Sequence, residues 1–211
     1  MSTAVVYVHG LWLSGLEGGL LRRRLARQLD AETHAFTYAS VKSSVSTNAE
    51  SLGKFLNALR TDTLHLVGHS LGGLVILKLF EQGAADRFPP GRIVFLGSPL
   101  NGSRAALNLA RLPLGKTLLG RGVHEELLTL RERHWQGQRD LGVIAGSLSV
   151  GLGKLVGARG APNDGTIFVD ETRLAGILQH LVMPVSHTGL PFSKSVARQA
   201  GAFLGSGKFI D

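Results

Sequence analysis

Six short runs of apolar or β-branched residues punctuate the chain: Ala4 to Val8, Thr33 to Tyr38, Leu64 to Val67, Ile93 to Leu96, Leu141 to Ala145 and His180 to Pro184. Longer stretches with apolar positions at helical spacing fill the intervals: Leu16 to Leu29, Thr47 to Arg60, Leu71 to Gln82, Ser103 to Leu109, His124 to His134 and Phe192 to Leu204. Short continuous apolar runs suit strands buried on both faces, and helices between them are the crossovers that parallel strands require. The pattern predicts an α/β chain with a doubly wound, mostly parallel sheet flanked by helices.

No repeat or low-complexity linker divides residues 1–211, which read as one domain. One connection is anomalous. Asn101 to Asp140 separates consecutive strand candidates by far more than the usual spacing of about two to six residues. It must carry helices of its own. Ligands of such sheets sit beyond the carboxyl ends of the strands, so 101–140 is either a lid over the site or a set of ordinary covering helices. The glycine-rich stretch from Gly142 to Gly165 predicts a long loop on that same edge.

The segment carrying the most chemical information is Leu64-His65-Leu66-Val67-Gly68-His69-Ser70-Leu71-Gly72-Gly73, followed by the apolar helical run Leu74 to Phe80. It reads as strand, sharp turn and helix. This is the context of a G-x-S-x-G nucleophile elbow, in which Gly68 and Gly72 let strand and helix approach while Ser70 is held at the tip of a strained turn. A helix that starts at Leu71 aims its positive end and the Leu71 N–H at charge developing on a substrate oxygen.

A serine hydroxyl needs a base, and the base needs a carboxylate to orient it. Of the histidines well after Ser70, His124 and His134 fall in the insertion and His180 opens a strand candidate, whereas His187 follows a strand at the carboxyl edge. His187 is the expected base. Asp164, in the turn Pro162-Asn163-Asp164-Gly165, is the expected acid; Asp140 precedes its strand on the opposite edge, and Asp170 and Glu171 are rivals. Beyond the first strand, Val8-His9-Gly10-Leu11-Trp12 occupies the place of a second oxyanion-hole loop, with Leu11 as the N–H donor and His9 and Gly10 supporting it. Trp12 either lines an acyl pocket or packs. Gly97-Ser98-Pro99 reads as a structural turn near the site.

Composition narrows the chemistry. The chain has no cysteine, which excludes disulfides, thiolate metal sites and a catalytic thiol. Its formal charge of +8 includes one tight basic run, Arg22, Arg23 and Arg24, but that run falls in a helix, and aromatics make up only 6% of residues. A solvated helix face accounts for it, and nucleic acid is not an expected partner. Weak peripheral association with anionic lipid stays open on charge alone. No apolar run approaches the roughly 20 residues of a membrane span, and the first strand begins too early for a signal peptide, so a cytoplasmic location is expected.

Taken together, His9-Gly10, Gly68-His69-Ser70-Leu71-Gly72, Asn163-Asp164-Gly165 and Ser186-His187 resemble the compact esterases and lipases of the α/β-hydrolase family, over nearly the whole chain. The resemblance is to minimal members that begin at the oxyanion-loop strand. It implies hydrolysis of a small-molecule acyl ester through an acyl-enzyme on Ser70, with neither metal nor organic cofactor. Leu11 and Trp12 after Gly10 depart from the H-G-G-G loop and look like the simpler lipase type, which tilts the acyl group toward medium or long chains. A thioesterase or acyltransferase would use the same residues, and a binding module on a retired scaffold would be expected to have lost one of them.

Overall fold

The computed structural model describes residues 1–83, 87–120, 126–128, 133–150 and 161–210. Six strands, β1 (Thr3–Val8), β2 (Glu32–Phe36), β3 (Thr63–His69), β4 (Ile93–Leu96), β5 (Leu141–Gly146) and β6 (Gln179–Met183), form one sheet in the order β2-β1-β3-β4-β5-β6. All five pairings are parallel, so among the described residues no antiparallel edge interrupts the sheet. The chain moves outward from β1 to β2 and then crosses back to lay β3 on the other side of β1. That reversal makes the β1/β3 boundary the switch point, where connections leave in opposite directions and open a crevice beyond the carboxyl ends.

Alternation along β1 shows how the two faces are filled. Val5 and Tyr7 pack with Leu21 and Leu25 of α1 (Gly19–Leu29) and with Val196, Ala200 and Phe203 of α6 (Lys194–Ser206). Ala4, Val6 and Val8 face the other way, onto Leu52 and Leu56 of α2 (Val45–Asn57) and Leu74 of α3 (Leu71–Glu81). Every β1 residue after Thr3 is buried, as a central strand requires.

Helix boundaries moved where capping chemistry overrode apolar spacing. The α2 helix starts at Val45 because the Ser44 hydroxyl accepts from the Thr47 N–H at 3.0 Å. Ser193 likewise caps α6 through the Val196 N–H, and Gly207, at φ 80°, ends it. Leu16–Gly18 forms a separate 3₁₀ turn ahead of α1. The arginine run of α1 is not uniformly solvated: Arg23 is exposed, but Arg22 and Arg24 are half-buried and Arg24 donates to the Phe192 carbonyl at 2.6 Å.

The long insertion contributes α4 (Arg104–Ala110) and α5 (Gly115–Leu119). Leu119, Leu127 and Trp135 are buried in the core cluster on the α2/α3 side, whereas Leu112, Leu114 and Leu118 are exposed. Much of the helix expected over His124 to His134 lies outside the described residues. Its end differs from the expectation, since His134 forms a parallel bridge with Ala175 instead of a helical turn. No helix among the described residues is long and apolar enough to cross a membrane.

Candidate active site

At the carboxyl end of β3 the backbone turns through Ser70 at φ 53° and ψ −120°, a left-handed conformation that a residue with a Cβ adopts at a cost of about 1–3 kcal/mol. The turn is pinned by Ser70 N–H donating to Leu96 O at 2.9 Å and Gly73 N–H to Ser70 O at 3.1 Å. Glycine is obligatory on either side. A Cβ at Gly68 would stand 2.6 Å from the Gly73 Cα, and one at Gly72 would stand 2.1 Å from the Val8 carbonyl oxygen. Ser70 is left half-buried at the switch point, with the α3 amino terminus behind it.

His187 and Asp164 come together from the loops after β6 and β5. His187 Nδ1 lies 2.7 Å from Asp164 Oδ2, and the His187 N–H donates to the Asp164 carbonyl at 2.8 Å, so side chain and backbone are both joined. Asp164 is 1% exposed and its other oxygen accepts from the N–H groups of Thr166 (2.9 Å) and Ile167 (2.7 Å). A carboxylate with both oxygens occupied is a rigid acceptor. The contact assigns the proton to Nδ1 of His187 and leaves Nε2 with a lone pair. His187 itself is 9% exposed.

Two connections bind this pair to the serine turn. Leu96, which accepts from Ser70, precedes Gly97, where a Cβ would lie 3.1 Å from Asp164 Oδ2 and 3.2 Å from His187 Nδ1. The bare Cα of Gly97 therefore sits directly against the pair, a closer role than the structural turn expected from sequence. His69, buried beside Ser70, contacts the His187 carbonyl through Nε2 at 3.2 Å. Burial, and the nearby His187, push the His69 pKa down to about 3.

Opposite the turn at Ser70, the loop after β1 passes close to the serine: a Cβ at Gly10 would lie 3.1 Å from Ser70 Cβ. His9 is buried beneath it, stacked on Tyr38 at 4.2 Å between ring centroids, and burial lowers its pKa. Among the described residues, neither the Leu11 N–H nor the Leu71 N–H has a hydrogen-bond partner. Trp12 has φ 61°, is 58% exposed and donates from its indole to the Leu118 carbonyl at 3.0 Å, tying the loop to α5.

The other candidates are engaged elsewhere. Asp170 forms a two-pronged pair with Arg104 on the surface. Glu171 is buried and accepts from the Arg104 N–H at 2.7 Å and the Phe168 N–H at 3.0 Å; burial raises its pKa. It fastens the start of α4 to the loop that carries Asp164. His180 contacts Thr172, Asp140 pairs with Arg92 at the opposite edge, and His124 lies outside the described residues. The roles of Gly97 and Glu171 escaped the sequence reading because each is defined by a contact across the fold.

The family model described as "Alpha/beta hydrolase family" matches residues 5–202. A search of curated proteins finds no match. Among solved structures, the mature form of the Bacillus licheniformis lipase BlEst2 is 17% identical, with a TM-score of 0.72 over 98% of this chain and 92% of that one; against the propeptide form this chain spans 47% of the other's length. The metagenomic carboxyl esterase MGS0156 is 18% identical (TM-score 0.65, 88% of this chain, 64% of that one). The type II thioesterase BorB from the borrelidin biosynthetic cluster is 13% identical (TM-score 0.67, 97% and 92%). With the family model covering nearly the whole length and the six strands forming a parallel sheet, the chain belongs to the α/β-hydrolase family.

Proposed function

We propose that the chain is a carboxylic ester hydrolase in which Ser70, His187 and Asp164 form the catalytic triad. The observation that carries this reading is the 2.7 Å contact between His187 Nδ1 and buried Asp164 Oδ2, on the edge where Ser70 is held in a left-handed turn. His187 Nε2 takes the Ser70 proton as Oγ attacks the acyl carbonyl, then returns it to the departing alcohol. Water, deprotonated by the same nitrogen, attacks the acyl-serine, and the proton passes to Ser70 Oγ as the acyl–oxygen bond breaks and the acid is released. The Leu71 and Leu11 N–H groups stabilise both tetrahedral oxyanions, each worth about 2.7–4 kcal/mol by comparison with a measured donor. The substrate is a small-molecule acyl ester.

Fluorophosphonate labelling tests the activated serine, and a series of p-nitrophenyl esters from acetate to palmitate tests the bond and the chain length. Ser70→Ala should fold, resist the probe and lose nearly all turnover. Retention of more than a few per cent of kcat by the alanine variant would refute the assignment. Likeness to the type II thioesterase BorB supports a second reading, a thioesterase using the same residues. Higher kcat/KM on acyl thioesters than on matched oxygen esters would select it.

A further inference from the structure

The basic run of α1 belongs to a larger basic face. Gln28 of α1 donates to the Arg198 carbonyl of α6 at 3.2 Å and Arg24 donates to the Phe192 carbonyl, so the two helices lie side by side. Between them they carry Arg22, Arg23, Arg24, Arg27, Lys194 and Arg198, and no Asp or Glu. Three quarters of the formal net charge of +8 therefore sits on two neighbouring helices. An ordinary solvated surface intersperses both signs, and this one does not.

The cations share one side. Arg23, Arg27, Lys194 and Arg198 are all exposed. At about 3.6 residues per turn, Arg23 stands on the side of α1 opposite buried Leu21 and Leu25, with Arg27 next to it toward α6. Lys194 and Arg198 run along α6 in line with Gly201, which packs on Gln28 of α1. Of the flanking carboxylates, Glu17 is turned onto the Tyr7 hydroxyl and the Gly15 N–H, and Asp30 lies at the far end of α1.

Apolar side chains occupy the near end of this face. Helices α1 and α6 follow β1 and β6 of a parallel sheet, so their amino ends lie at the carboxyl edge, where Ser70, Asp164 and His187 are. Leu16 (82% exposed) and Leu20 (45%) lead into the cations of α1, and Phe192 (48%) stands just ahead of α6. Large apolar groups held in water beside a row of cations fit a partner that is anionic at its surface and apolar beneath.

We propose that the α1/α6 face docks on an anionic lipid bilayer, with Arg23, Arg27, Lys194 and Arg198 on the headgroups and Leu16, Leu20 and Phe192 dipping past them. Nucleic acid would meet the cations but leave the three apolar groups in water. A bilayer takes both. The surface is separate from the 101–140 insertion and does not depend on the chemistry assigned to Ser70. Docking this way brings the carboxyl edge of the sheet against the lipid.

Flotation with vesicles of one part phosphatidylglycerol to two of phosphatidylcholine, against phosphatidylcholine alone, reads the partition. The parent should bind the anionic vesicles and lose binding as salt rises, since each cation near such a surface multiplies the partition about fivefold. Replacing the four exposed cations with Gln should cost about a hundredfold or more, and Leu16→Ser, Leu20→Ser and Phe192→Ser combined about tenfold or more, both with native circular dichroism. The chain has no cysteine, so a single introduced thiol can carry an environment-sensitive fluorophore. On anionic vesicles the label should shift to the blue on Leu20→Cys and not on Ser51→Cys, exposed on α2 across the sheet, a reading that needs neither multiple variant to fold. No binding of the parent to anionic vesicles, equal binding by the folded four-Gln variant, or a shift at position 51 without one at position 20 would overturn the proposal. So would tighter binding to duplex DNA or polyglutamate than to the vesicles, unaffected by the three serines, which would mark a soluble polyanion as the partner.

Discussion

His69 Nε2 donates to the backbone carbonyl of His187 at 3.2 Å, so the residue before Ser70 holds the segment that carries His187. The two imidazoles are 5.0 Å apart, centre to centre. Two adjacent cationic rings would repel, and burial keeps His69 neutral, with a pKa near 3 as its proton stays on Nε2. The pairing gives the residue between Gly68 and Ser70 a geometric task that the sequence pattern alone does not assign.

Replacing His69 tests that task. His69→Leu fills the space but leaves the His187 carbonyl without its donor, whereas His69→Gln can supply an N–H from a similar position. The Leu variant should lose about tenfold or more in kcat while remaining folded, and the Gln variant should retain most of it. Equal activity of both, measured on one ester, would reduce His69 to a space-filling role.

Asp164→Asn should cost far more than Asp170→Asn. The amide offers an N–H either to His187 Nδ1–H or to the Thr166 and Ile167 N–H groups, and one side must clash as donor against donor. A fall of about tenfold or more in kcat/KM is expected for Asp164→Asn and less than about threefold for Asp170→Asn, whose surface pair with Arg104 is worth at most about 1 kcal/mol. The reverse ranking, in variants with native circular dichroism, would transfer the acid to Asp170.

Alanine at two glycines should separate folding from activity. Gly72→Ala drives a Cβ to 2.1 Å from the Val8 carbonyl oxygen, between β1 and α3, and should yield insoluble or strongly destabilised protein. Gly97→Ala meets the Leu190 side chain at 2.7 Å and the Asp164–His187 pair just beyond 3 Å, at a φ of 55°. Its kcat should fall by an order of magnitude or more in whatever fraction folds. A fully active, fully stable Gly97→Ala would contradict the packing of that Cα against the pair.

These contrasts mark what could be read from the chain itself. Strand β3, the turn at Ser70 and α3 were legible because the run Leu64 to Val67, the flanking glycines and the helix after Leu71 are local signals that agree with one another. The positions of Asp164 and His187 followed from strand ends, and so did their common edge. Gly97, Glu171 and the His69 bond did not follow. Each depends on which strand lies beside which, and the spacing of Ser70, Gly97 and His187 along the chain carries no record of the β3-β4-β5-β6 order. The start of α2 could have been found, since Ser44 stands three residues before Thr47 as a capping hydroxyl does, but the apolar pattern alone pointed later.

The last prediction concerns acid. His65 and His69 are buried; burial is the leading cause that pushes their pKa values down to about 4 and about 3, and it brings half-buried His180 to about 4. His65 shows why the folded state resists protonation: its Nδ1 accepts from the Arg92 N–H at 2.9 Å, and the Arg92 and Arg139 guanidiniums stand nearby. In the unfolded chain each imidazole titrates at its ordinary value of 6.5. Between pH 6.5 and about 4 the unfolded state therefore binds more protons than the folded one, and stability must fall as pH falls. The stabilisation is present in full above 6.5 and is lost on the way down through about 4, at about 1.4 kcal/mol per unit of depression for a buried group and less for His180. Glu171 opposes this, because burial raises its pKa and favours the folded state as it takes up a proton, but it is one carboxyl against four imidazoles, buried His9 being the fourth whose pKa burial lowers. Urea midpoints should thus be level from pH 8 to 7 and drop steeply from 6 to 4.5, and His65→Asn, which keeps an acceptor for the Arg92 N–H without titrating, should flatten the drop. A midpoint that stays constant down to pH 4.5, or an unchanged slope in His65→Asn, would show that these histidines are not held neutral by the fold.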